Sequence, residues 1–295
     1  MKTEVTLTLV LLLLAAMPLS AAETHAMSGL VLKVDATHKS VTVSCNGVPG
    51  YMDAMTMPFD VRDAKILDGI KPGANIDFTV VVNGETSYAE NIRLHQYENL
   101  EQEPLEARRL SIVSKLANPA GAASVLASIV KAQQAVPDFT LTDQARNKIA
   151  FSQLKGRVIA ISFAYVQCPN PAYCYRLTNH LGQLQKRFAD RLGSDLVLLT
   201  IIIDPEHNEN DAINKYAAIW KANPQSWHFL TGPLPEVQRV SRMFGMEFWS
   251  DEGFLTHSFH TVVVDRGGNL FANLEGNRFT SEQLGDLVQT VMNQP

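Results

Sequence analysis

Apolar and polar residues alternate with two different periods along the chain. From about residue 28 to residue 95, short apolar runs alternate with polar positions, which is typical of half-buried β-strands. Leu30–Val34 and Ser40–Ser44 flank a polar turn, and Asn75–Val82 precedes Asn83-Gly84, a dipeptide that favours a hairpin. A closing strand is expected at Tyr88–His95. Several short strands in so short a segment predict a small all-β barrel.

The C-terminal half has a different pattern, in which strand-like and helix-like runs alternate. Three apolar runs are continuous, as in strands that helices cover on both faces: Val158–Val166, Leu196–Ile203 and Thr261–Val264. Helical periodicity is found over Arg176–Arg191, Asn210–Lys221 and Leu234–Phe244. This pattern predicts an α/β domain with a core of its own.

Residues 98–133 separate these two segments. The stretch is charged at first and then rich in alanine, and its apolar residues recur at helical spacing. We interpret it as a helical linker that carries no evident chemistry.

The first residues have the pattern of a secretory signal peptide. An apolar run from Val5 to Ala16 is followed by Pro18 and Ser20-Ala21-Ala22, which predicts a signal over residues 1–22 with cleavage after Ala22. The run is shorter than the roughly 20 residues of a membrane span, although an uncleaved anchor is the alternative. Export would place the protein in an oxidising compartment such as the periplasm.

The composition argues against one class of partner and one class of scaffold. The 295 residues carry 25 Lys and Arg against 30 Asp and Glu, a net charge of -5. Loss of the signal leaves this unchanged, because Lys2 and Glu4 cancel. The mild acidity argues against nucleic acid as a partner. Three cysteines are too few for a disulfide-stapled scaffold.

A cluster of sulfur-containing residues lies within the predicted barrel. Met52, Met55 and Met57 fall within six residues, and Cys45 ends the preceding strand. On a strand, Met55 and Met57 would face the same side. Thioether and thiolate sulfur are soft ligands that select Cu(I). The alternative is that the methionines fill the barrel core, but the polar, turn-rich surroundings favour a metal site.

This cluster resembles a known family. Gly50–Phe59, together with Lys71-Pro72-Gly73, resembles the signature of CusF-type periplasmic copper-binding domains. The resemblance implies a five-stranded OB-like barrel over residues 25–97, with Met55 and Met57 as Cu(I) ligands. The family ligand on the preceding strand is commonly His, which Cys45 replaces here. Met52 or Tyr51 would take the place of the Trp ring that caps copper in the best-known member.

A second candidate site involves two cysteines and a distant histidine. Cys168 follows a predicted strand, and Cys174 lies near the start of a helix, where peptide dipoles lower a thiol pKa. Two such thiols either exchange electrons as a dithiol or hold a soft metal. Pro169 and Pro171 should stiffen the loop between them. His257 directly precedes the last apolar run, and loops at strand ends commonly build sites.

The same half resembles the Sco/SenC family of copper metallochaperones. The resemblance implies a thioredoxin-like domain over residues 134–293, in which Cys168, Cys174 and His257 bind Cu(I) or Cu(II). The Cys-x5-Cys spacing departs from the usual Cys-x3-Cys, and His260 has no counterpart. The segments that carry the resemblance are Val136–Asp143, the strand–Cys-Pro–helix unit, Ile203-Asp204-Pro205, Trp227–Gly232 and His257-Ser258.

These features predict an exported copper metallochaperone rather than an enzyme. The barrel and the α/β domain would exchange copper within the chain. The acceptor would be a copper protein such as a cytochrome oxidase subunit, or a system that handles periplasmic copper. The alternative is a thiol–disulfide oxidoreductase acting on the thiols of copper sites, although Cys-x-x-Cys is absent.

Overall fold

The computed structural model describes residues 22–95, 129–168, 175–204, 209–251 and 254–294. Its N-terminal part is one antiparallel sheet in the order β3-β2-β1-β4-β5. The strands are β1 (Glu23–Asp35), β2 (Ser40–Cys45), β3 (Met55–Asp60), β4 (Asn75–Asn83) and β5 (Thr86–Leu94). A bridge between Val61, just after β3, and Ala89 within β5 brings the two edge strands together, so the sheet curls into a small all-β barrel, as the sequence predicts.

Local sequence explains this barrel. Gly84 has a φ of +61° in the turn between β4 and β5, which confirms the predicted hairpin. At Gly29 a side chain would collide with the backbone of β2, so only glycine permits the close approach of β1 and β2 there. Phe59 and Phe78 meet edge to face across the interior, with ring centroids 5.0 Å apart.

The C-terminal part is a layered α/β domain, which confirms the predicted class. Its main sheet has the order β10-β9-β8-β13-β14, in which β8, β9 and β10 are parallel, and β13 and β14 are antiparallel to their neighbours. The strands are β6 (Thr140–Thr142), β7 (Lys148–Ala150), β8 (Val158–Ala164), β9 (Leu196–Ile202), β10 (Trp227–Leu230), β11 (Phe248–Asp251), β12 (Phe254–His257), β13 (His260–Val264) and β14 (Leu270–Glu275). The helices are α1 (Arg176–Arg187), α2 (Asn210–Ile219), α3 (Leu234–Met243) and α4 (Ser281–Met292).

The continuous apolar runs are the centre of this domain. Every residue of β8 and β9 is buried, as expected for strands that are covered on both faces. One face packs against α1, α2 and α4, and the other face packs against α3. The strands end one or two residues earlier than the apolar runs, and the first helix ends at Arg187 rather than at 191, where a short 3-10 turn replaces it.

Two expected segments lie wholly or mostly outside the described residues. The predicted signal peptide falls in residues 1–21, apart from Ala22, and most of the predicted helical linker falls in residues 96–128. Residues 129–133 form turns and bends, in which the Val130 amide donates to the Met243 carbonyl. Among the described helices, none has the length and apolar character needed to cross a bilayer.

Helix α4 joins the barrel to the α/β domain. Its Asp286 carboxylate accepts hydrogen bonds from Ser44 Oγ at 2.7 Å and Thr56 Oγ1 at 2.9 Å, and it pairs with Arg187 at 2.7 Å. Its Gln283 side-chain amide donates to the Ser44 carbonyl at 3.1 Å. Leu30 and Leu32 of β1 belong to the same apolar cluster as residues of α1 and α4. The two parts therefore share one continuous core.

Candidate metal sites

The sulfur cluster of the barrel is arranged by the pairing of β2 with β3. Cys45 lies opposite Met55, and Val43 lies opposite Met57. Directly opposed residues of an antiparallel pair face the same side, with Cβ atoms about 5 Å apart. Met57 is two residues from Met55, so Cys45, Met55 and Met57 share one face of the sheet. The same-face prediction for the two methionines is confirmed.

These side chains run from the barrel core to its surface. Cys45 is buried, Met57 is half-buried against the same apolar cluster, and Met55 is 50% exposed. Met52 lies in the loop between the two strands, where its backbone pairs with Val48, and its side chain packs on that cluster too. A soft metal could enter from solvent at Met55 and meet sulfur at increasing depth.

The Cys45 thiol is a neutral group in the structure. Burial raises its pKa to about 12, and its sulfur lies 3.7 Å from the Val43 carbonyl oxygen. A thiol in such surroundings keeps its proton until a metal displaces it, because thiolate is the form that binds metal. The residues fit copper, with Cys45 as the donor that must lose a proton.

The N-terminal end of β1 is not predicted from the sequence, and it lies beside this cluster. His25 stacks on Tyr51, with ring centroids 3.4 Å apart and an interplanar angle of 12°. Met27 is buried among the same apolar residues as Cys45. In the sequence, only a weak alternation of His25, Met27 and Gly29 with the small residues Ala26 and Ser28 marks this end of the strand.

In the α/β domain, Cys168 and His257 lie at one edge of the sheet. Cys168 is four residues beyond the end of β8 at Ala164, and His257 is three residues before β13 starts at His260. The two strands are antiparallel neighbours, so these ends coincide. Cys168 is half-buried, and its amide donates to the Tyr165 carbonyl at 3.1 Å.

The third member of this set, Cys174, falls outside the described residues. Within the part of the chain that is described, no three His, Cys, Asp or Glu side chains converge in a way that would hold a metal ion. The ligand set Cys168, Cys174 and His257 therefore stays a prediction.

His257 has the environment of a ligand histidine. It is 8% exposed, and its Nδ1 lies 2.9 Å from the Ser258 carbonyl oxygen. A carbonyl only accepts, so Nδ1 carries the proton and Nε2 carries the lone pair that a metal would use. Burial lowers the pKa of the ring, an effect that the hydrogen bond to Ser258 partly opposes. The neutral, metal-binding form is thereby favoured.

Two further polar residues of the α/β domain, His260 and Asp204, are buried. His260 is buried, and its Nδ1 lies 2.9 Å from the Asn273 side-chain oxygen, while the Asn273 amide donates to the Phe244 carbonyl at 2.8 Å. This chain of contacts ties β13 to β14 and to the end of α3. Asp204 is buried two residues after the end of β9.

Comparison with known proteins identifies both halves. Residues 128–293 match the family model SCO1/SenC, and residues 24–93 match the model for the copper-binding periplasmic protein CusF. A SCO1 protein homolog of Bacillus subtilis is 30% identical over 97 residues, which span 33% of this chain and 49% of that protein.

Two solved structures are also similar. A SCO1/SenC family lipoprotein from Bacillus anthracis has a TM-score of 0.48 and 18% identity, covering 54% of this chain and 95% of that one. Copper-bound ScoI of Arabidopsis thaliana has a TM-score of 0.47 and 20% identity, covering 54% and 98%.

Proposed function

The chain belongs to the SCO1/SenC family, and on this premise we propose that it is an exported copper metallochaperone. It would carry copper as cargo, bind it in both halves and pass it to a copper enzyme. The observation that carries the proposal is the union in one chain of a SCO1/SenC segment with a CusF segment. Each segment has a cysteine at or shortly after a strand end, Cys45 in the barrel and Cys168 in the α/β domain.

In the α/β domain the cargo would be held by Cys168, Cys174 and His257. Two thiolates and a neutral imidazole suit copper in either oxidation state. The hydrogen bond from His257 Nδ1 to Ser258 supports this role, because it leaves Nε2 as the ligand atom and fixes the ring orientation.

In the barrel, Cu(I) would be held by Cys45, Met55 and Met57, with Met52 as a further contact. Support comes from the β2–β3 register, which brings the first three residues to one face. The exposure of Met55 supports exchange with another protein, since copper passes between chaperones through shared ligands.

The acceptor would be a periplasmic copper protein. The finer proposal is a subunit of cytochrome oxidase, whose dinuclear copper centre needs two copper ions delivered outside the cytoplasm. Copper would also move between the barrel and the α/β domain. Coordination and ligand exchange account for every step, so the protein would not be an enzyme.

The test is a Cu(II) titration of the reduced chain beginning at Glu23. We expect a thiolate-to-copper charge-transfer band that is lost in Cys168→Ser and Cys174→Ser and strongly weakened in His257→Ala. His228→Gln is the matched control, because His228 is a second buried histidine of the same domain that pairs with Asp143. A band that survives all three ligand changes contradicts the proposal.

The same variants separate the oxidoreductase alternative. Reduction of a small disulfide that is abolished by Cys168→Ser but survives His257→Ala would favour a dithiol mechanism, in which the imidazole is dispensable. We expect the opposite dependence, with copper binding sensitive to His257 and little disulfide reduction by the unaltered chain.

A further inference from the structure

The first three residues of the exported chain are the basis of a third metal site. Cleavage after Ala22 would make Glu23 the first residue and His25 the third. We infer that this terminus chelates Cu(II) through four nitrogens: the Glu23 α-amine, the Thr24 and His25 backbone amides, and His25 Nδ1. The inference rests on the export and cleavage that belong to the proposed function, and on neither of the sulfur sites.

The spacing of the donors accounts for the choice of metal. The α-amine and the two following amide nitrogens close two five-membered chelate rings, and an imidazole on the third residue closes a six-membered one. Four nitrogens in a plane form the square-planar geometry that Cu(II) and Ni(II) adopt. Neither Thr24 nor His25 is proline, so both amide nitrogens can lose a proton. Binding releases three protons to solvent, one from the ammonium group and one from each amide.

The position of these residues in the barrel permits the chelate. Glu23, Thr24 and His25 pair with β4 at Val82, Val81 and Val80, whereas the described pairing of β1 with β2 starts only at Gly29. The segment is therefore hydrogen-bonded along one edge. To bring the amides together, the first three pairs must open, and terminal pairs of a ladder open at the least cost in free energy.

The ring stack of His25 on Tyr51 does not block the ring nitrogen atoms through which His25 would bind metal. Tyr51 covers a face of the ring, whereas a metal approaches an imidazole nitrogen in the plane of the ring. The other nitrogen, Nε2, lies 3.1 Å from the Glu23 carboxylate. Tyr51 is next to Met52, so a Cu(II) site at the terminus would lie at the same end of the barrel as the Cu(I) ligands.

The division between the two sites follows from ligand softness. Sulfur in the barrel selects Cu(I), and amine and amide nitrogens select Cu(II). An exported protein in an oxidising compartment meets Cu(II), and the terminus would give that form a site of its own. The chelate by itself moves no electrons, and reduction of the bound ion is not part of the inference.

The test compares four full-length mature chains, each titrated with Cu(II) sulfate. The first begins at Glu23 with an unblocked amine, confirmed by mass. The second retains Ala22, which moves the imidazole to the fourth position and leaves every described contact in place. The third carries His25→Gln. The fourth carries His38→Gln, a control at an exposed histidine that contacts only Asp35 in the described hydrogen-bond pattern.

We expect the first and fourth chains to bind one additional equivalent of Cu(II), with the visible d–d band and nitrogen hyperfine splitting of a four-nitrogen square-planar complex. The second and third chains should lose this signal. Equal signals in the first and second chains overturn the inference, as does a secreted chain whose mass gives a first residue other than Glu23. The thiolate charge-transfer band at Cys168 should persist in all four, so failure here is distinct from failure of the proposed function.

Discussion

The barrel and the α/β domain bring their proposed copper ligands together in two different ways. In the barrel, Cys45, Met55 and Met57 come from two adjacent strands, and the strand register alone sets their common face. In the α/β domain, Cys168 and His257 come from segments that follow or precede strands far apart in sequence, and the whole sheet must form before their ends coincide.

The difference has a physical consequence for each site. Cross-strand pairs are fixed by local geometry, so the barrel ligands depend mainly on the pairing of β2 with β3. Loop residues at a sheet edge depend on long-range packing. The shared core around Leu30 and Leu32 nevertheless means that the barrel is not energetically separate from the larger domain.

The largest expected effect comes from Leu32→Ala. Leu32 is fully buried in the cluster that spans both regions, so its removal should lower the free energy of unfolding by about 4 kcal/mol. All tryptophans (Trp220, Trp227 and Trp249) lie in the α/β domain, so tryptophan fluorescence during urea unfolding reports that domain alone.

Leu67→Ala is the matched control for this experiment, because Leu67 is equally apolar and buried but belongs to the cluster confined to the barrel. It should shift the tryptophan transition much less than Leu32→Ala. Equal shifts would show that the domains unfold as one unit, and no shift in Leu32→Ala would show that they are uncoupled.

The next largest effect is a dependence of the free energy of unfolding on pH, and its source is a histidine of the α/β domain. His180 is buried beside Phe279, and burial, reinforced by Arg176 and opposed by Glu282, lowers its pKa to about 4. Below pH 6.5 the unfolded chain binds a proton that the folded chain excludes, so stability is fully present above 6.5 and is lost as the pH falls through 4. At 1.36 kcal/mol per pKa unit, the loss by pH 4 is about 3 kcal/mol.

His180→Gln should flatten this part of the profile, as measured by urea unfolding between pH 7 and pH 4. The unaltered chain and the variant should then differ in slope over that interval. Parallel profiles would assign the acid sensitivity to other groups.

A smaller effect is expected at the contact between the regions. Asp286→Ala removes an acceptor shared by Ser44 and Thr56 and an ion pair with Arg187, which should cost about 2 kcal/mol. In a Ser44→Ala background the cost should be smaller by about 1 kcal/mol, as a double-mutant cycle would measure. Additive losses would mean that the hydrogen bond contributes nothing to the association of the regions.

The smallest effect on stability, but a specific one on metal binding, is expected for Met55→Leu. Met55 is half exposed, so the change should leave the unfolding transition in place. Loss of a thioether should weaken Cu(I) binding about tenfold, which corresponds to about 1.4 kcal/mol, as measured by competition with a chromogenic chelator. Met27→Leu is the control, a buried methionine of the same barrel. Equal weakening in both variants would indicate a general disturbance of the barrel rather than loss of a ligand.

The sequence was most informative where periodicity acts locally. The hairpin at Gly84, the buried strands β8 and β9 and the common face of Met55 and Met57 all follow from short-range patterns. The N-terminal extension of β1 was missed because its residues are mixed in polarity and gain their order from pairing with β4.

Long-range features were beyond the same reasoning. Helix α4 was not predicted, and nothing near Asp286 in sequence indicates that it contacts Ser44, which is more than two hundred residues away. The prediction that Cys168 and His257 share one site came from family resemblance, because spacing along the chain does not encode which sheet edge a loop reaches. Periodicity in a single sequence predicts contacts between residues that are close in the chain, whereas these contacts depend on the assembled fold.

The hydrogen bond from Thr56 to Asp286 indicates which side of β3 is open to a copper donor. Adjacent residues of a strand point to opposite sides, so the side of β3 that is fastened to α4 is the reverse of the one bearing Met55 and Met57. A copper-donating protein could therefore transfer its ion to the Met55 side of β3 while the contact between β3 and α4 stays intact.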